Sequence, residues 1–420
     1  MSSPLGSAPR ALASVLAPAV LLALLPAAVA AAERYERPPS FNAAQIRGIR
    51  RVGTNYTIVN PVHSDGLLRI YRVTTPYGKF RVDGDQMMRM RQNELYALAR
   101  LEKVSNSKSF GQALAKAGLS PLMFAGKLIS NPVGTVQNTF AGVGAFFGRL
   151  GSGMANAGKT RDDAMSDILG VTDERRHLAA AYGVDPYTDF PPLAAKLNQL
   201  SQAAAMGGLV VAGAMFAIPG GVAALVVSNL STANQLNDIG IEDLARKYTA
   251  AQILDINRGL LAKLGVDKRT SERFLRNRNF TPIDQAITVA AIDSMRGVRD
   301  RRVFFSWAAN ANSRALAYVM RRQAELMADD YHKHRNYVRF VALSNYPYVI
   351  TRDNRVMAIL PVDALSWTPE TAAGFKGVTA QRRRIASKAR GVMRITGMAT
   401  HLAKRELKRQ GWTVLEHQRP

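Results

Sequence analysis

A glycine-rich apolar stretch over residues 120–158 constrains the fold of this chain more than any other feature. Its large apolar side chains recur at alternating intervals of three and four residues, the spacing of a narrow stripe along a helix. The stripe consists of Val133, Val136, Phe140, Val143, Phe147, Leu150 and Met154. Glycine costs a helix interior about 1 kcal/mol relative to alanine in water, so Gly144 and Gly148 favour close contact with another helix or with lipid.

We therefore expect this segment to present a membrane-contacting or helix-packing surface. The residues assigned to that surface are Val133, Val136, Phe140, Val143, Gly144, Phe147, Gly148 and Leu150. The same surface is a candidate for binding a protein partner. The alternative is an ordinary helix buried in the core.

A second stretch without charge, residues 203–230, is interrupted by Pro219 and two glycines. The part before the proline, residues 203–217, would rise only about 22 Å as a helix, whereas the hydrocarbon core of a bilayer is about 30 Å thick. One continuous spanning helix is therefore disfavoured. A core hairpin, a kinked helix and a membrane-inserted hairpin remain as interpretations.

The first thirty residues have the pattern of a secretory signal peptide. Arg10 precedes an apolar run over residues 11–29, and Ala28-Val29-Ala30 has the small-x-small pattern of a cleavage site. Two prolines inside the run argue against the alternative of a permanent anchor. We expect a mature protein of the periplasm or cell envelope, peripheral to a membrane.

The charge of the chain indicates the chemistry of its partner. The formal net charge is +25, and residues 268–420 contain 29 Lys and Arg against 12 Asp and Glu. Outside the cytoplasm such a chain is expected to meet anionic phospholipid or another acidic envelope polymer, and the export signal argues against nucleic acid.

The chain has no cysteine, which excludes disulfides, thiolate metal ligands and a cysteine nucleophile.

The pattern of elements predicts a mainly α fold with small antiparallel β elements, of the α+β class. A long helical middle is flanked by an N-terminal β-meander and a C-terminal β-hairpin. The predicted organisation is a signal peptide (1–30), a meander plus helix (41–104), a helical region (105–337) and a hairpin plus basic helix (338–420). We also expect the two β units to meet in one small sheet.

Within the helical region, the patterns predict helices over residues 241–264, 282–295 and 303–331. The last helix is predicted over residues 379–410, with an apolar stripe through Ile385, Val392 and Ile395. Its basic residues are the candidate lipid- or anion-binding residues: Arg382, Arg383, Arg384, Lys388, Arg390, Arg394, Lys404 and Arg405. A helix docked on the core with a solvated basic face is the alternative.

Glu325, Asp329 and His332 are the candidate catalytic residues, because they are spaced i, i+4 and i+7 and share one face of a helix. Such a face can serve a hydrolase or transferase, with or without a metal ion. A solvated helix end with local ion pairs is the alternative. The segment His63-Ser64-Asp65 contains the residue types of a hydrolase triad, but three adjacent residues are more consistent with a turn.

No motif in the sequence identifies a reaction, a metal site or a cofactor. The leading hypothesis is an exported, non-catalytic envelope protein that associates with anionic membrane or lipid in a structural, lipid-handling or scaffold role. An envelope hydrolase or transferase using the face with Glu325 is the first alternative. A pore-type protein that inserts residues 203–230 as a hairpin is the second.

Overall fold

The computed structural model describes residues 35–105, 172–207, 248–386 and 389–417. About half of these residues are helical and about a fifth lie in strands, which confirms the α+β class. The predicted signal peptide, the glycine-rich stretch and the part of residues 203–230 beyond Gly207 lie outside the described residues.

The N-terminal unit is an antiparallel sheet built around one long strand. Its strands are β1 (Ser40–Phe41), β2 (Val52–Gly53), β3 (Tyr56–Ile58), β4 (Val62–Ser64), β5 (Arg69–Thr75) and β6 (Gly78–Asp83). Strands β3 and β4 pair with successive parts of one edge of β5, and β6 pairs with the other edge. Tyr71 and Val73 alternate with more exposed residues and bury one face of β5, as predicted from the sequence.

Helices follow the sheet and cover it. They are α1 (Asp85–Ser105), α2 (Asp173–Ala181), α3 (Pro191–Gly207), α4 (Ala250–Lys263), α5 (Lys268–Leu275), α6 (Pro282–Ser294), α7 (Arg302–Ala308), α8 (Arg314–His334), α9 (Pro369–Ile385) and α10 (His401–Arg409). Apolar residues of α1 and α3, such as Leu95 and Leu197, share one core cluster with the sheet. Thr172 and Thr281 accept hydrogen bonds from the first-turn amides of α2 and α6, which fixes the starts of these two helices.

Two helix predictions in the middle region need correction. In the helix predicted over residues 241–264, Thr249 is a cap whose side chain accepts from the Gln252 amide, so α4 begins at Ala250, and the part over residues 241–247 lies outside the described residues. The helix predicted over residues 303–331 is two helices, α7 and α8. The Ser313 side chain accepts from the Leu316 amide and starts α8, because a short polar side chain competes well for a helix terminus.

The C-terminal sheet is mixed rather than a simple hairpin. Its strands, in spatial order, are β13 (Trp412–Leu415), β11 (Gly391–Ile395), β9 (Val356–Leu360), β8 (Tyr346–Thr351) and β7 (Tyr337–Leu343). Strands β7, β8 and β9 form the predicted antiparallel hairpins, whereas β9, β11 and β13 are parallel. The crossovers between parallel strands contain α9 and α10, as parallel pairing requires. A separate two-strand ladder pairs β10 (Ala364–Leu365) with β12 (Met398–Ala399).

The prediction of one basic helix over residues 379–410 is wrong. The chain leaves α9 at Ile385, forms the buried strand β11 and continues into α10. A strand buried on both faces has a nearly continuous apolar sequence. The periodicity of its apolar residues therefore does not distinguish it from a buried helix. Gly391 lies so close to Trp412 that an added Cβ would approach the ring Cε3 to 2.3 Å.

The expectation that the two β units share one sheet is also wrong, since in the described part of the chain β1–β6 and β7–β13 each pair within their own half. The halves meet through backbone hydrogen bonds instead. The amides of Asp363 and Ala364 donate to the Leu67 carbonyl, and the Ser366 amide donates to the Gly66 carbonyl. The turn before β5 is therefore attached to the segment that follows β9.

Candidate anion-binding surface

The amino ends of the three parallel strands bring cationic side chains to one edge of the C-terminal sheet. Gly391 of β11 pairs with Val356 of β9 and with Trp412 of β13. The residues before these pairs, Arg390 and Arg355, are therefore neighbours on adjacent strands, whose axes lie about 4.8 Å apart. Both arginines are exposed. Like charges in this arrangement repel each other unless an anion lies between them.

Arg382 holds the surrounding segments together at this edge. Its Nη1 donates to the Ala389 carbonyl at 2.5 Å and its Nη2 donates to the Gln410 carbonyl at 2.9 Å. The side chain is only 5% exposed. Burial, followed by the charge of Arg383, lowers the pKa of the Arg382 guanidinium. Arg382 is thus a structural connection between the end of α9, the entry to β11 and the end of α10.

Because these three segments meet at Arg382, the basic residues at their exposed sides are brought to one edge. We define the basic edge as the exposed cations Arg352, Arg355, Arg383, Arg384, Arg390, Lys408 and Arg409. Part of this charge has a local explanation, since cations in the last turns of α9 and α10 interact favourably with the helix dipoles. Arg352, Arg355 and Arg390 do not lie in helices, so that explanation does not extend to them.

Two acids neutralise part of the basic edge. Arg355 Nε lies 2.6 Å from Asp353 Oδ2, and Arg409 Nη1 lies 2.8 Å from Glu406 Oε1. Within the described ranges, no acidic side chain pairs with Arg383, Arg384, Arg390 or Lys408. The edge therefore keeps a local excess of positive charge.

The predicted anion-binding residues divide into two groups. Arg394 is ion-paired with Asp330, and Lys404 Nζ lies 2.9 Å from Glu416 Oε2. Arg405 is exposed beside Glu406, with Nε and Oε1 3.3 Å apart. The predicted residues that contribute to the basic edge are Arg383, Arg384 and Arg390, whereas Arg382 is buried and Lys388 lies outside the described residues.

The sequence-based candidates did not include Arg352, Arg355, Lys408 or Arg409. Arg352 and Arg355 flank a tight turn in which Asn354 has a φ of 56°. The recognisable signal was the pair of arginines around Asp353-Asn354 directly before an apolar strand. The sequence pattern does not reveal that β9 pairs with β11 in parallel, and only this pairing places Arg355 beside Arg390.

The structure does not bring Glu325, Asp329 and His332 into one shared constellation. Glu325 is buried and paired with Arg321, with Oε1 and Nε 2.8 Å apart, and it also pairs with Arg322. Asp329 pairs instead with Lys333, with Oδ2 and Nζ 2.7 Å apart.

His332 has a different partner, because its Nε2 lies 3.1 Å from the Ser294 hydroxyl. That hydroxyl donates its one proton to the Ala291 carbonyl at 2.7 Å, so the imidazole acts as donor to the serine. Burial, followed by the charge of Arg335, lowers the pKa of His332. In a catalytic pair the histidine accepts the proton of the serine hydroxyl, so the hydrogen bond between His332 and Ser294 runs in the opposite direction.

The segment with His63 forms local contacts. Asp65 Oδ1 accepts from the amides of Leu67 and Leu68 at 2.9 and 2.8 Å, while His63 Nδ1 lies 2.9 Å from the Ser40 hydroxyl. Asp65 thus shapes the turn before β5 and does not orient His63.

In the ranges that the structure describes, no group of three or more His, Asp or Glu side chains is arranged to hold a metal ion. None of the helices there combines the length and apolarity needed to cross a bilayer.

Comparison of the chain with protein-family models, curated proteins and solved structures finds no match.

Proposed function

We propose that this protein is an exported, non-catalytic component of the cell envelope that associates with anionic membrane lipid through the basic edge. The observation that carries the proposal is the set of exposed cations at the amino ends of β9, β11 and β13 that have no acidic partner among the residues that the structure describes. Near an anionic bilayer each Lys or Arg contributes about 1 kcal/mol. Four such residues would strengthen binding by about three orders of magnitude.

The backbone position of the basic edge supports this role. The Arg390 carbonyl accepts from the Val356 amide, and Arg383 and Arg384 follow the buried Arg382, whose hydrogen bonds fix the end of α9. Cations on a backbone held in place by the fold lose less conformational freedom on binding than cations on a flexible tail. A structural, lipid-handling or scaffold role at the envelope is consistent with such a surface.

The periplasmic or envelope location rests on the signal-peptide pattern of residues 1–30. The hydrolase or transferase alternative is less favoured, because Glu325, Asp329 and His332 each have a separate partner. The pore-type alternative depends on residues 203–230, which extend beyond the described residues.

Vesicle co-sedimentation tests the proposal. The mature protein should bind vesicles that contain phosphatidylglycerol and should bind purely zwitterionic vesicles weakly at moderate salt. The edge variant combines Arg383→Gln, Arg384→Gln, Arg390→Gln and Lys408→Gln. A control variant with the same change in net charge combines Lys263→Gln, Lys268→Gln, Arg269→Gln and Arg296→Gln, all of which are exposed residues outside the edge.

The edge variant should lose at least tenfold more affinity than the control variant, while both retain the circular dichroism spectrum of the unmodified protein. Equal losses in the two variants would mean that net charge, and not the basic edge, determines binding. Failure of the unmodified protein to distinguish anionic from zwitterionic vesicles would overturn the proposal.

A further inference from the structure

The N-terminal sheet is strongly basic. Residues 37–82 contain eight Lys and Arg against a single acidic residue, Asp65. Asp65 is occupied in its own turn, because its Oδ1 accepts from the amides of Leu67 and Leu68. This second excess of positive charge lies outside the basic edge and plays no part in the function proposed above.

The strand pairing collects part of this charge on the exposed face of the sheet. Tyr71 and Val73 of β5 face the core, so Arg72 between them points to the opposite face. Arg81 of β6 is directly opposite Arg72 in the antiparallel register. Lys79 lies two residues before Arg81 on the same face, and all three cations are exposed. The outer face of the sheet is therefore cationic.

Two further exposed arginines lie at one edge of the same sheet. Arg50 and Arg51 directly precede the edge strand β2, which pairs with β3 beside β5. The Arg50 carbonyl accepts from Gln92 Nε2 at 2.9 Å, and the Arg51 carbonyl accepts from the Ile58 amide at 2.8 Å, so the backbone there is fixed. We define the sheet surface as the exposed cations Arg50, Arg51, Arg72, Lys79 and Arg81.

The sheet surface keeps most of its charge. Arg81 pairs with Asp83, with Nε and Oδ1 2.8 Å apart, but in the part of the chain that the structure describes no acidic side chain pairs with the other four cations. Lysine on an edge strand such as β6 prevents pairing with other chains, which accounts for Lys79. Arg72 lies on the interior strand β5 opposite another arginine, where like charges repel. An anionic partner above this face relieves that repulsion.

Helix α8 separates the sheet surface from the basic edge. Tyr318, near the start of α8, belongs to the same core cluster as Tyr71 and Val73 of β5. Beyond the other end of α8, the Asn336 carbonyl accepts from the amide of Arg352, a member of the basic edge, at 2.8 Å. From Tyr318 to its last residue the helix rises about 24 Å. The two cationic surfaces therefore lie at opposite ends of this helix.

We propose that the protein bridges two anionic lipid surfaces, one held by the basic edge and the other by the sheet surface. The inference rests on the proposed function, because the basic edge supplies one of the two contacts. The sheet surface has two cations fewer than the basic edge, so it should bind lipid about thirtyfold more weakly. The basic edge therefore makes the first attachment, and the sheet surface captures a second bilayer afterwards.

Capture of one vesicle population by another tests this inference. Vesicles of phosphatidylglycerol and phosphatidylcholine are immobilised, coated with the mature protein and then offered fluorescent vesicles of the same composition. The sheet variant combines Arg50→Gln, Arg51→Gln, Arg72→Gln and Lys79→Gln. The control variant described above has the same change in net charge, and both variants should retain the circular dichroism spectrum of the unmodified protein.

The unmodified protein and the control variant should capture fluorescent vesicles. The sheet variant should capture at least tenfold fewer, while its affinity in co-sedimentation should match that of the control variant, because its basic edge is intact. Equal capture by the sheet and control variants would overturn the inference. Binding of the unmodified protein without capture would also overturn it and leave the proposed function intact, whereas no binding to anionic vesicles would overturn both.

Two measurements on the unmodified protein keep the inference falsifiable if the sheet variant does not fold. Capture should fall when the protein covers both vesicle populations, because no free lipid then remains for the sheet surface. Capture that rises steadily with protein would indicate self-association of bound molecules and would overturn the inference. X-ray scattering from protein-linked bilayers should give a gap of at least about 24 Å, the rise of α8 from Tyr318. A narrower gap would contradict bridging through opposite ends of α8.

Discussion

The guanidinium of Arg382 lies 5.1 Å from the centre of the Trp412 ring, and the two side chains are buried together at the amino end of the C-terminal sheet. Trp412 Nε1 in turn donates to the Thr379 hydroxyl at 2.8 Å. An arginine that the sequence pattern assigns to a lipid-binding face is therefore part of the framework that carries the exposed arginines.

Arg382→Met should destabilise the protein by about 2–3 kcal/mol, because the carbonyls of Ala389 and Gln410 lose a charged donor and Trp412 loses its cationic neighbour. Arg384→Met removes an exposed cation and should change stability by less than about 0.5 kcal/mol. Urea unfolding followed by circular dichroism measures both values. A loss below 1 kcal/mol for Arg382→Met would argue against its connecting role.

Within the basic edge, paired and unpaired arginines should contribute differently to vesicle binding. Arg390→Gln should weaken binding about fivefold, which corresponds to about 1 kcal/mol. Arg409→Gln should weaken it less, because Glu406 already offsets the charge of Arg409. Vesicle co-sedimentation at low salt measures the difference, and both effects should shrink at high salt because of screening. The reverse order would contradict the assignment of free charge within the edge.

The buried carboxyl group of Asp185 should make stability depend on pH. Burial and the neighbouring charge of Asp284 raise the pKa of Asp185 to about 6, although Thr281 donates a hydrogen bond to it. A carboxyl group with a raised pKa binds its proton more tightly in the folded state than in the unfolded state. The contribution of Asp185 to stability is therefore largest at low pH and is lost as the pH rises through about 6.

Asp185→Asn should accordingly stabilise the protein by about 1–2 kcal/mol more at pH 7.5 than at pH 4.5, because the contribution of the protonated carboxyl group is lost between these two values. The asparagine Oδ1 can still accept from the Tyr187 amide, as Asp185 Oδ1 does at 2.8 Å. Thermal unfolding of both proteins at the two pH values measures the change. The same loss of stability at both values would show that the hydrogen bonds of Asp185 outweigh its charge.

Alanine substitutions at two glycines, Gly391 and Gly259, should change the stability of the protein in opposite directions. Gly391→Ala should destabilise the protein by more than about 2 kcal/mol, because the new methyl group overlaps the ring of Trp412. Gly259→Ala should stabilise it by about 0.5–1 kcal/mol, because Gly259 lies inside α4 and nothing lies within 4 Å of the added Cβ. Chemical unfolding measures both changes, and a mild effect of Gly391→Ala would mean that β13 moves easily relative to β11.

Local signals in the sequence predicted much of the fold. The side chains of the strand β5 alternate between buried and exposed, and the Thr281-Pro282 and Thr368-Pro369 pairs, each a capping residue followed by proline, mark the starts of α6 and α9. These features depend on neighbouring residues, so a single sequence contains the necessary information.

Features that depend on distant pairing were not predicted. The strand β11 has the composition of a buried helix, and only its two parallel neighbours make it a strand. The basic edge has the same origin, since Arg355 and Arg390 are far apart in the sequence and become neighbours through the register of β9 and β11.

The direction of β9 has a consequence for how this protein would sit at an envelope surface. The strand rises about 13 Å from Val356 to Leu360, with the arginines before its first residue and the turn to β10 after its last. A molecule resting on acidic lipid with its arginine side down would hold the carboxyl ends of the parallel strands away from the bilayer, facing the water.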